Sequence, residues 1–286
     1  MSDERKKIAR VMAGALVAAG ITVAAAPTWA QQPAPTAHPS GILGATDHRV
    51  PIAPDAWPWS SIGRINVVQG PSHRSYCTGT LIGPRHVLTA AHCLFDTRLN
   101  TWVKPDKVHF VAGQALSDKF KAHSIAASIL TAPGFDFSVE QRPRYDQIRA
   151  DMIARDWAII TLQGAINLKP IPLRSFHRAD LPDAGETGEI ARAGYSVDRP
   201  FLLSIHRGCS VKIDVPRPQS LVHQCDSMPG DSGSPILLLK GETASVIGIH
   251  SVSVQDFEPG VGYTARGARG VSASAFEAAA SDSIKP

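Results

Sequence analysis

The chain has 286 residues, a formal net charge of +4 and 43% hydrophobic residues. This composition is typical of a globular protein and excludes the polar, highly charged class of disordered chains. The 29 basic and 25 acidic side chains are dispersed along the chain, so we expect no nucleic-acid partner.

The first 30 residues have the features of a secretory signal. Basic residues in "MSDERKKIAR" precede an apolar run from Val11 to Ala26, and "PTWA" places small residues, Thr28 and Ala30, at a cleavage site. A membrane anchor is the alternative, but the run is short for a bilayer span, which needs ~20 apolar residues. We therefore expect cleavage after Ala30, a secreted or periplasmic protein, and no membrane association of the mature chain.

The rest of the chain has the pattern of short strands and turns that is typical of an all-β protein. Residues 31–49 are rich in Pro, Ala and Gly and are interpreted as a pro-segment or linker. From residue 50, short β-rich runs such as "HVLTAA", "WAIITL" and "PILLL" alternate with turn residues. The polar segment 138–155 is expected to be a surface insertion, and the alanine-rich tail predicts a helix over 271–280. This pattern predicts β-barrels or a sandwich with one terminal helix.

Four cysteines in an exported chain can form disulfides in three pairings. Cys77 and Cys93 are separated by the same number of residues as Cys209 and Cys225, so pairing of sequence neighbours is the simplest hypothesis. Zinc binding is the rival interpretation, but the chain has no CxxC or HxxxH pattern. We expect no metal and no cofactor.

A candidate nucleophile, Ser232, lies in the turn-forming segment "CDSMPGDSGSPIL", residues 225–237. A serine hydroxyl is a weak nucleophile, so it needs a base, and the base needs an acid to orient it. The candidate base is His92 in "VLTAAHCLF", since a disulfide at the next residue would hold its backbone. The candidate acid is Asp156, which opens the apolar strand in "RDWAIITL"; the alternative, Asp151, lies in the polar insertion.

Three short motifs resemble the signature blocks of the trypsin-like (chymotrypsin-fold) serine peptidases. They are "TAAHC", "DWAIITL" and "GDSGSP", in that family's chain order of His, Asp and Ser. Weaker similarities extend from about Pro58 to "GVGYTARG", so the resemblance covers nearly all of the mature chain. It implies two antiparallel six-stranded β-barrels, at about 50–165 and 166–286, with the active site between them and a C-terminal helix in the second part.

The resemblance implies a monomeric serine endopeptidase that acts on protein or peptide substrates through an acyl-enzyme. Ser232 would attack the scissile carbonyl, His92 would transfer the proton, and Asp156 would hold the imidazole. The N–H groups of Gly230 and Ser232 would bind the oxyanion. A non-catalytic binding protein and a lipase or esterase are the rival functions, but no triad member is missing, and the α/β-hydrolase elbow would need Gly where this chain has Ser234.

Two signals for substrate preference conflict. Asp226 lies where trypsin carries the acid that selects Lys or Arg, and His250 in "GIHS" lies where glutamyl endopeptidases carry the histidine that binds Glu. Ser227 fits either branch. We expect Arg or Lys at P1, the residue before the scissile bond, with Glu as the alternative. An added strand of substrate backbone is expected to pair with Ser251, Val252 and Ser253.

The family resemblance also gives Asp231 a role in activation. In trypsin-like enzymes the residue before the nucleophile pairs with a new amino terminus that cleavage of a zymogen creates. A buried carboxylate without a partner is costly, so Asp231 needs a cation. "DHRVPI" offers a basic cleavage site between Arg49 and Val50, and cutting there would supply an α-amino group.

Overall fold

The structure, a computed structural model, describes residues 41–70, 73–138, 151–175, 188–214, 217–258 and 262–285. The predicted signal and the first ten residues of the predicted pro-segment lie outside the described residues. The strands are β1 (Val50–Pro51), β2 (Ile62–Val68), β3 (Arg74–Gly83), β4 (His86–Thr89), β5 (Phe95–Asp96), β6 (Thr101–Trp102), β7 (Val108–Ala112), β8 (Ala122–Thr131), β9 (Ala158–Leu162), β10 (Glu189–Gly194), β11 (Ser204–Arg207), β12 (Val211–Ile213), β13 (Ser220–His223), β14 (Pro235–Lys240), β15 (Thr243–Glu258) and β16 (Gly262–Ser272).

The first body is a closed six-stranded barrel. Its strand order is β2-β3-β4-β9-β8-β7, and every pair is antiparallel. Successive side chains of a strand point to opposite faces, so Ile65 and Val67 of β2 enter the core while Arg64 and Asn66 face outward. The outward face of β2 and β3 turns toward the second body and carries part of the candidate site.

The second body is an eight-stranded antiparallel sheet in the order β1-β11-β10-β14-β15-β16-β13-β12. Val50 pairs with Ile205 and Pro51 with Ser204, so the strand we assigned to the start of the first barrel belongs to this sheet. A register shift between His250 and Val252 marks a bulge in β15. The bulge turns the intervening residue out of the regular ladder.

The predicted fold class is confirmed: the described chain is mostly β, with a six-stranded barrel, a second sheet and a C-terminal helix. The helix, α1, spans Glu277–Ile284 and starts later than predicted, because Val271 is still paired with Ser220 in the sheet and a 3-10 turn, Ala273–Ala275, intervenes. Of the predicted insertion, residues 139–150 lie outside the described part. No helix among the described residues is long and apolar enough to cross a bilayer.

Candidate active site

His92 and Asp156 are joined by two hydrogen bonds. His92 lies in a 3-10 turn, Ala91–Leu94, that follows β4, and Asp156 follows another such turn, Ile153–Arg155, two residues before β9. The fully buried carboxylate of Asp156 accepts the His92 N–H at 2.9 Å and lies 2.8 Å from His92 Nδ1. The alternative acid, Asp151, is exposed. The two contacts fix both the position and the ring orientation of the histidine.

A third group holds the acid from the second sheet. Ser251 Oγ donates to Asp156 Oδ2 at 2.5 Å. Ser251 occupies the bulge of β15, which explains why its side chain leaves the strand pattern and reaches the first barrel. Ser251, Val252 and Ser253 were expected to pair with a substrate strand. Because the Ser251 side chain is bonded to Asp156, only its backbone is available to a substrate.

The turn that carries Ser232 lies against the segment that leads to His92. Gly230 and Gly233 have φ angles of +96° and +78°, which side-chain-bearing residues rarely adopt. A Cβ atom on Gly233 would lie 2.3 Å from Thr89 Oγ1 and 2.8 Å from the Ala90 nitrogen. The half-buried Ser232 accepts the Thr78 N–H through its carbonyl at 2.9 Å. Glycine at 233 therefore permits a close approach between the two halves of the candidate site.

Asp231 is fully buried and has an internal cation. Arg192 Nη1 lies 2.7 Å from Asp231 Oδ1, and both side chains have no exposed surface. The other carboxylate oxygen accepts Ser196 Oγ–H and the Met228 N–H, each at 2.8 Å. Gly194 makes room, since a Cβ there would lie 2.5 Å from Asp231 Oδ1. In the uncleaved chain the cation paired with Asp231 is therefore Arg192.

Arg49, at the expected cleavage site, has an enclosed side chain. The Arg49 guanidinium is buried and bonds the carboxylates of Asp47 and Asp198, with Nη2 at 2.9 Å from each. Burial lowers the pKa of Arg49, but the hydrogen bonds to these two acids outweigh burial and raise it. Val50 then enters β1. In this conformation the Arg49 side chain is not exposed to a second peptidase.

Asp226 anchors residues 41–49, which we call the amino-terminal strap. Its buried carboxylate accepts the Leu43 N–H and the His48 N–H, each at 2.8 Å, and lies 3.0 Å from His48 Nδ1. His206 Nδ1 is 3.5 Å away. Asp226 was predicted to select Lys or Arg from the base of a pocket; in this structure both of its carboxylate oxygens accept N–H groups of the strap.

The strap also contacts the other predicted pocket residues. Gly41 forms an antiparallel bridge with Ser227, whose N–H donates to the Gly41 carbonyl at 3.1 Å. Ser227 Oγ and Ser253 Oγ are hydrogen-bonded at 2.8 Å. A Cβ on Gly41 would lie 2.5 Å from Ser253 Oγ and 2.8 Å from Ser227 Oγ. The structure therefore brings Ser227 and Ser253 together, while Val252 remains half-buried beside them.

His250 is buried and belongs to a short hydrogen-bond chain. The Cys225 N–H donates to His223 Nδ1 at 3.3 Å, and His223 Nε2 lies 3.0 Å from His250 Nδ1. Since His223 Nδ1 accepts, its Nε2 carries the proton and donates to His250, whose own proton is then on Nε2. Burial lowers the pKa of His223 to about 3 and that of His250 well below 6.5, with neighbouring cationic groups adding to the effect. Both rings are therefore neutral.

His48, His206 and Asp226 are also the described residues best placed to bind a metal outside the disulfides, with ligand atoms within 4.8 Å of one another. The Asp226 N–H donates to His206 Nδ1 at 2.8 Å, and the Asp226 carboxylate accepts from the strap. These hydrogen bonds already account for the geometry of the cluster.

Two disulfides, Cys77–Cys93 and Cys209–Cys225, flank the candidate site. The first ties β3 to the residue after His92, and the second ties the segment after β11 to the residue before Asp226. Disulfides indicate a protein that folds outside the reducing cytosol.

Comparison with known proteins places these observations in one family. The model of the trypsin-like peptidase domain matches residues 77–249, which is more than half of the chain. Human Serine protease 23 is 32% identical over 173 residues, covering 56% of this chain and 42% of that protein. The proclotting enzyme of Tachypleus tridentatus is 28% identical over 228 residues, covering 72% and 58%. The chain thus spans about two fifths of the length of the Serine protease 23 relatives.

A solved structure described as a Glu endopeptidase in complex with MPD has the same fold. It superposes with a TM-score of 0.62 at 20% identity and covers 85% of this chain and all of its own. The matched residues, 77–249, include His92, Asp156 and Ser232. The family model therefore shows that this chain belongs to the trypsin-like peptidase domain family.

Proposed function

We propose that the protein is exported and hydrolyses peptide bonds through Ser232, His92 and Asp156, with an acidic residue preferred at P1. The observation that carries the catalytic assignment is the double hydrogen bond between His92 and the buried Asp156. Because the Asp156 carboxylate is an acceptor, it holds the His92 proton on Nδ1 and leaves Nε2 free to act as a base. Ser232 is the nucleophile.

The chemistry then follows two half-reactions. Ser232 Oγ attacks the scissile carbonyl carbon while its proton passes to His92 Nε2, and the tetrahedral intermediate collapses as His92 returns that proton to the leaving amine. Water repeats the attack on the acyl-enzyme, with His92 taking its proton and returning one to Ser232 Oγ. Asp156 stays ionised and stabilises the imidazolium in both steps.

The N–H groups of Gly230 and Ser232 are assigned to the oxyanion. The hydrogen bonds among the described residues include none donated by either group. Glycine at 230 with φ +96° and the bond from Thr78 Oγ1 to its carbonyl, at 3.0 Å, support a fixed orientation of this peptide. One such donor is worth roughly 2.7–4 kcal/mol in the transition state. The ion pair between Arg192 and Asp231 fixes the turn between Gly230 and Ser232.

An acidic P1 residue suits the donors that remain once Asp226 is committed to the strap. They are the protonated Nε2 of His250 and the one hydroxyl of the Ser227–Ser253 pair whose proton is not used in the hydrogen bond between these two side chains. The similarity in fold to a Glu endopeptidase agrees with this preference. Lys or Arg at P1 would find no free carboxylate at Asp226.

Processing, if it accompanies export, is proposed before Gly41 instead of at Arg49. A cut there would leave the strap in place, because Asp226 and β11 still hold residues 43–51. It would also bring an α-amino group close to the Ser227 and Ser253 hydroxyls, where its charge would attract an acidic P1 side chain. Amino-terminal sequencing of the active enzyme tests this; an active form that begins at Val50 contradicts it.

Labelling with a fluorophosphonate probe and a peptide-library profile test the catalytic and P1 assignments separately. We expect probe labelling of the wild type, none in Ser232→Ala, and turnover lowered by several orders of magnitude in both Ser232→Ala and His92→Ala. Full peptidase activity in purified Ser232→Ala contradicts the triad. Cleavage mainly after Lys or Arg would contradict the P1 assignment while leaving the triad intact.

A further inference from the structure

Arg64 differs from the other buried arginines. Three arginines are buried among the described residues: Arg49 at 4% exposure, Arg64 at 8% and Arg192 at 0%. Arg49 and Arg192 each bond a carboxylate. The Arg64 side chain forms neither a hydrogen bond nor an ion pair with any described residue; its Nε is enclosed without a partner, as is Nη2 of Arg192, but Arg192 has a carboxylate beside it. A buried cation without a counter-ion destabilises a fold, so the Arg64 guanidinium is kept at the expense of stability.

The position of Arg64 is next to the proposed oxyanion site. Arg64 of β2 lies opposite Thr78 of β3, and Thr78 Oγ1 donates to the Gly230 carbonyl at 3.0 Å. Tyr76 is two residues earlier on β3 and faces the same side. The Arg64 guanidinium carbon is 4.0 Å from the centre of the Tyr76 ring, and a Cβ on Gly230 would lie 2.8 Å from Tyr76 Cε2.

Two further features complete this group. The Phe201 ring centre lies 4.9 Å from the Arg64 guanidinium carbon on the solvent side, and 37% of Phe201 is exposed. The Tyr76 hydroxyl is enclosed and, like Arg64 Nε, has no hydrogen-bond partner among the described residues. Two unpartnered polar groups, one of them cationic, therefore meet beneath an exposed aromatic ring.

Burial raises the pKa of Tyr76, and the charges of Asp231 and Asp198 add to that effect, but both acids are engaged elsewhere. Asp231 is paired with Arg192, and Asp198 is paired with Arg49 and lies 3.4 Å from Arg199. Neither can neutralise Arg64 without releasing another buried arginine. The group is thus complementary to an anion supplied from outside the chain.

We propose that Arg64, Tyr76 and Phe201 form a subsite for an acidic side chain on the leaving-group side of the scissile bond, within the first three residues after it. The inference rests on the proposed function, since it adds a second element of substrate selection to the same cleft. A carboxylate there would accept from the terminal N–H groups of the Arg64 guanidinium, which the Tyr76 ring holds in place, and charge-assisted bonds of this kind are among the stronger ones in proteins.

The two ends of the turn 226–232 distinguish the two sides of the substrate. The P1 donors Ser227 and Ser253 lie at the Ser227 end, under the strap. Tyr76 meets the turn at the Gly230 end and directly precedes Cys77, which is bonded to Cys93 beside His92. His92 protonates the leaving amine, so the chain beyond the scissile bond leaves along β3, past Tyr76 and Arg64.

Paired peptides test the subsite. Internally quenched substrates share one P1 residue and carry Glu or Gln at the first, second or third position after the scissile bond, with the cut confirmed by mass spectrometry. The wild type should favour Glu over Gln in kcat/KM by roughly tenfold at one of these positions. In Arg64→Met, which keeps the apolar stem, that ratio should fall to about one, and Tyr76→Phe should lower it less.

The ratio within each variant cancels any general loss of active enzyme. Arg207→Met is the matched control, because Arg207 also stacks on an aromatic ring, Trp59 at 5.5 Å, but is exposed and paired with Glu189. A wild type without Glu preference at all three positions overturns the subsite, as does an equal loss of preference in Arg207→Met. If no peptide is cleaved at all, the proposed function itself fails, and probe labelling of Ser232 reports that separately.

Discussion

The turn from Asp226 to Ser232 is held differently at its two ends. At the Asp226 end, every carboxylate oxygen bonds the strap, and Arg192 Nε donates to the Asp226 carbonyl at 2.8 Å. At the Gly230 end, Arg64 and Tyr76 carry unpartnered polar groups. We call the Asp226 end the closed end, because its polar groups are bonded within the chain, and the Gly230 end the open end. Bonds at the closed end stabilise the fold, whereas the unpartnered groups at the open end do not. This difference is expected where a protein keeps a site for a ligand.

The largest expected effect comes from Arg192, which bonds the Asp226 carbonyl at one end of the turn and the Asp231 carboxylate next to Gly230. Arg192→Met leaves Asp231 as a buried carboxylate without its cation, so the free energy of unfolding should fall by about 3–5 kcal/mol. Urea denaturation measures the loss. The double variant Arg192→Met/Asp231→Asn should recover part of it, because it removes the uncompensated charge as well. Equal losses in the single and the double variant would show that the ion pair is not the cause.

Asp226→Asn tests the link between the turn and the strap, with a smaller expected loss. Both carboxylate oxygens accept backbone N–H groups, so an amide must turn an NH₂ group toward one of these donors. We expect a loss of about 1–3 kcal/mol in the free energy of unfolding and faster proteolysis within residues 41–49.

Asp55→Asn is the control for Asp226→Asn, because Asp55 is exposed and its ion pair with Lys121 is at the surface. A strap that stays protected from proteolysis in Asp226→Asn would contradict its anchoring by this acid.

The closed end should also make stability depend on pH. Burial lowers the pKa of His223 to about 3, whereas in the unfolded chain it is about 6.5. Between these values the unfolded chain binds a proton that the folded chain does not, so stability is complete above pH ~6.5 and falls as the pH falls, by at most ~1.4 kcal/mol per pH unit per group. His250 acts in the same direction.

Urea denaturation of the wild type and His223→Gln between pH 5 and 7 measures this dependence. The slope of stability against pH should be smaller in the variant, because one of the titrating groups has been removed. An unchanged slope would mean that His223 does not titrate on unfolding.

The fold class was predictable because it depends on local patterns: short β-rich runs with turn residues between them, and three motifs that carry His92, Asp156 and Ser232. The partners of the acids were not. The motif around Ser232 indicated that Asp226 lies in the P1 pocket and that Asp231 pairs with a new amino terminus. Their partners in the structure, Leu43 for Asp226 and Arg192 for Asp231, are far away in the chain. One available signal was an arginine within the otherwise apolar and small residues of "IARAG", 190–194, because a buried arginine requires a counter-ion.

The smallest expected change in stability is the most informative about the open end. Arg64→Met removes a buried charge that has no counter-ion and keeps the stem that fills the space beside Tyr76 and Phe201. The relief from desolvation opposes the loss of the cation–π contacts, which are worth about 0.5–2 kcal/mol. We therefore expect the free energy of unfolding to change by less than about 1 kcal/mol in either direction, against several kcal/mol for Arg192→Met. The same substitution at two buried arginines thus distinguishes a charge that stabilises the fold from one kept for binding. Urea denaturation of both variants under one set of conditions measures the difference.

A loss of stability in Arg64→Met as large as that in Arg192→Met would show that Arg64 stabilises the fold itself, because only a cation with a partner inside the fold contributes so much to the folded state.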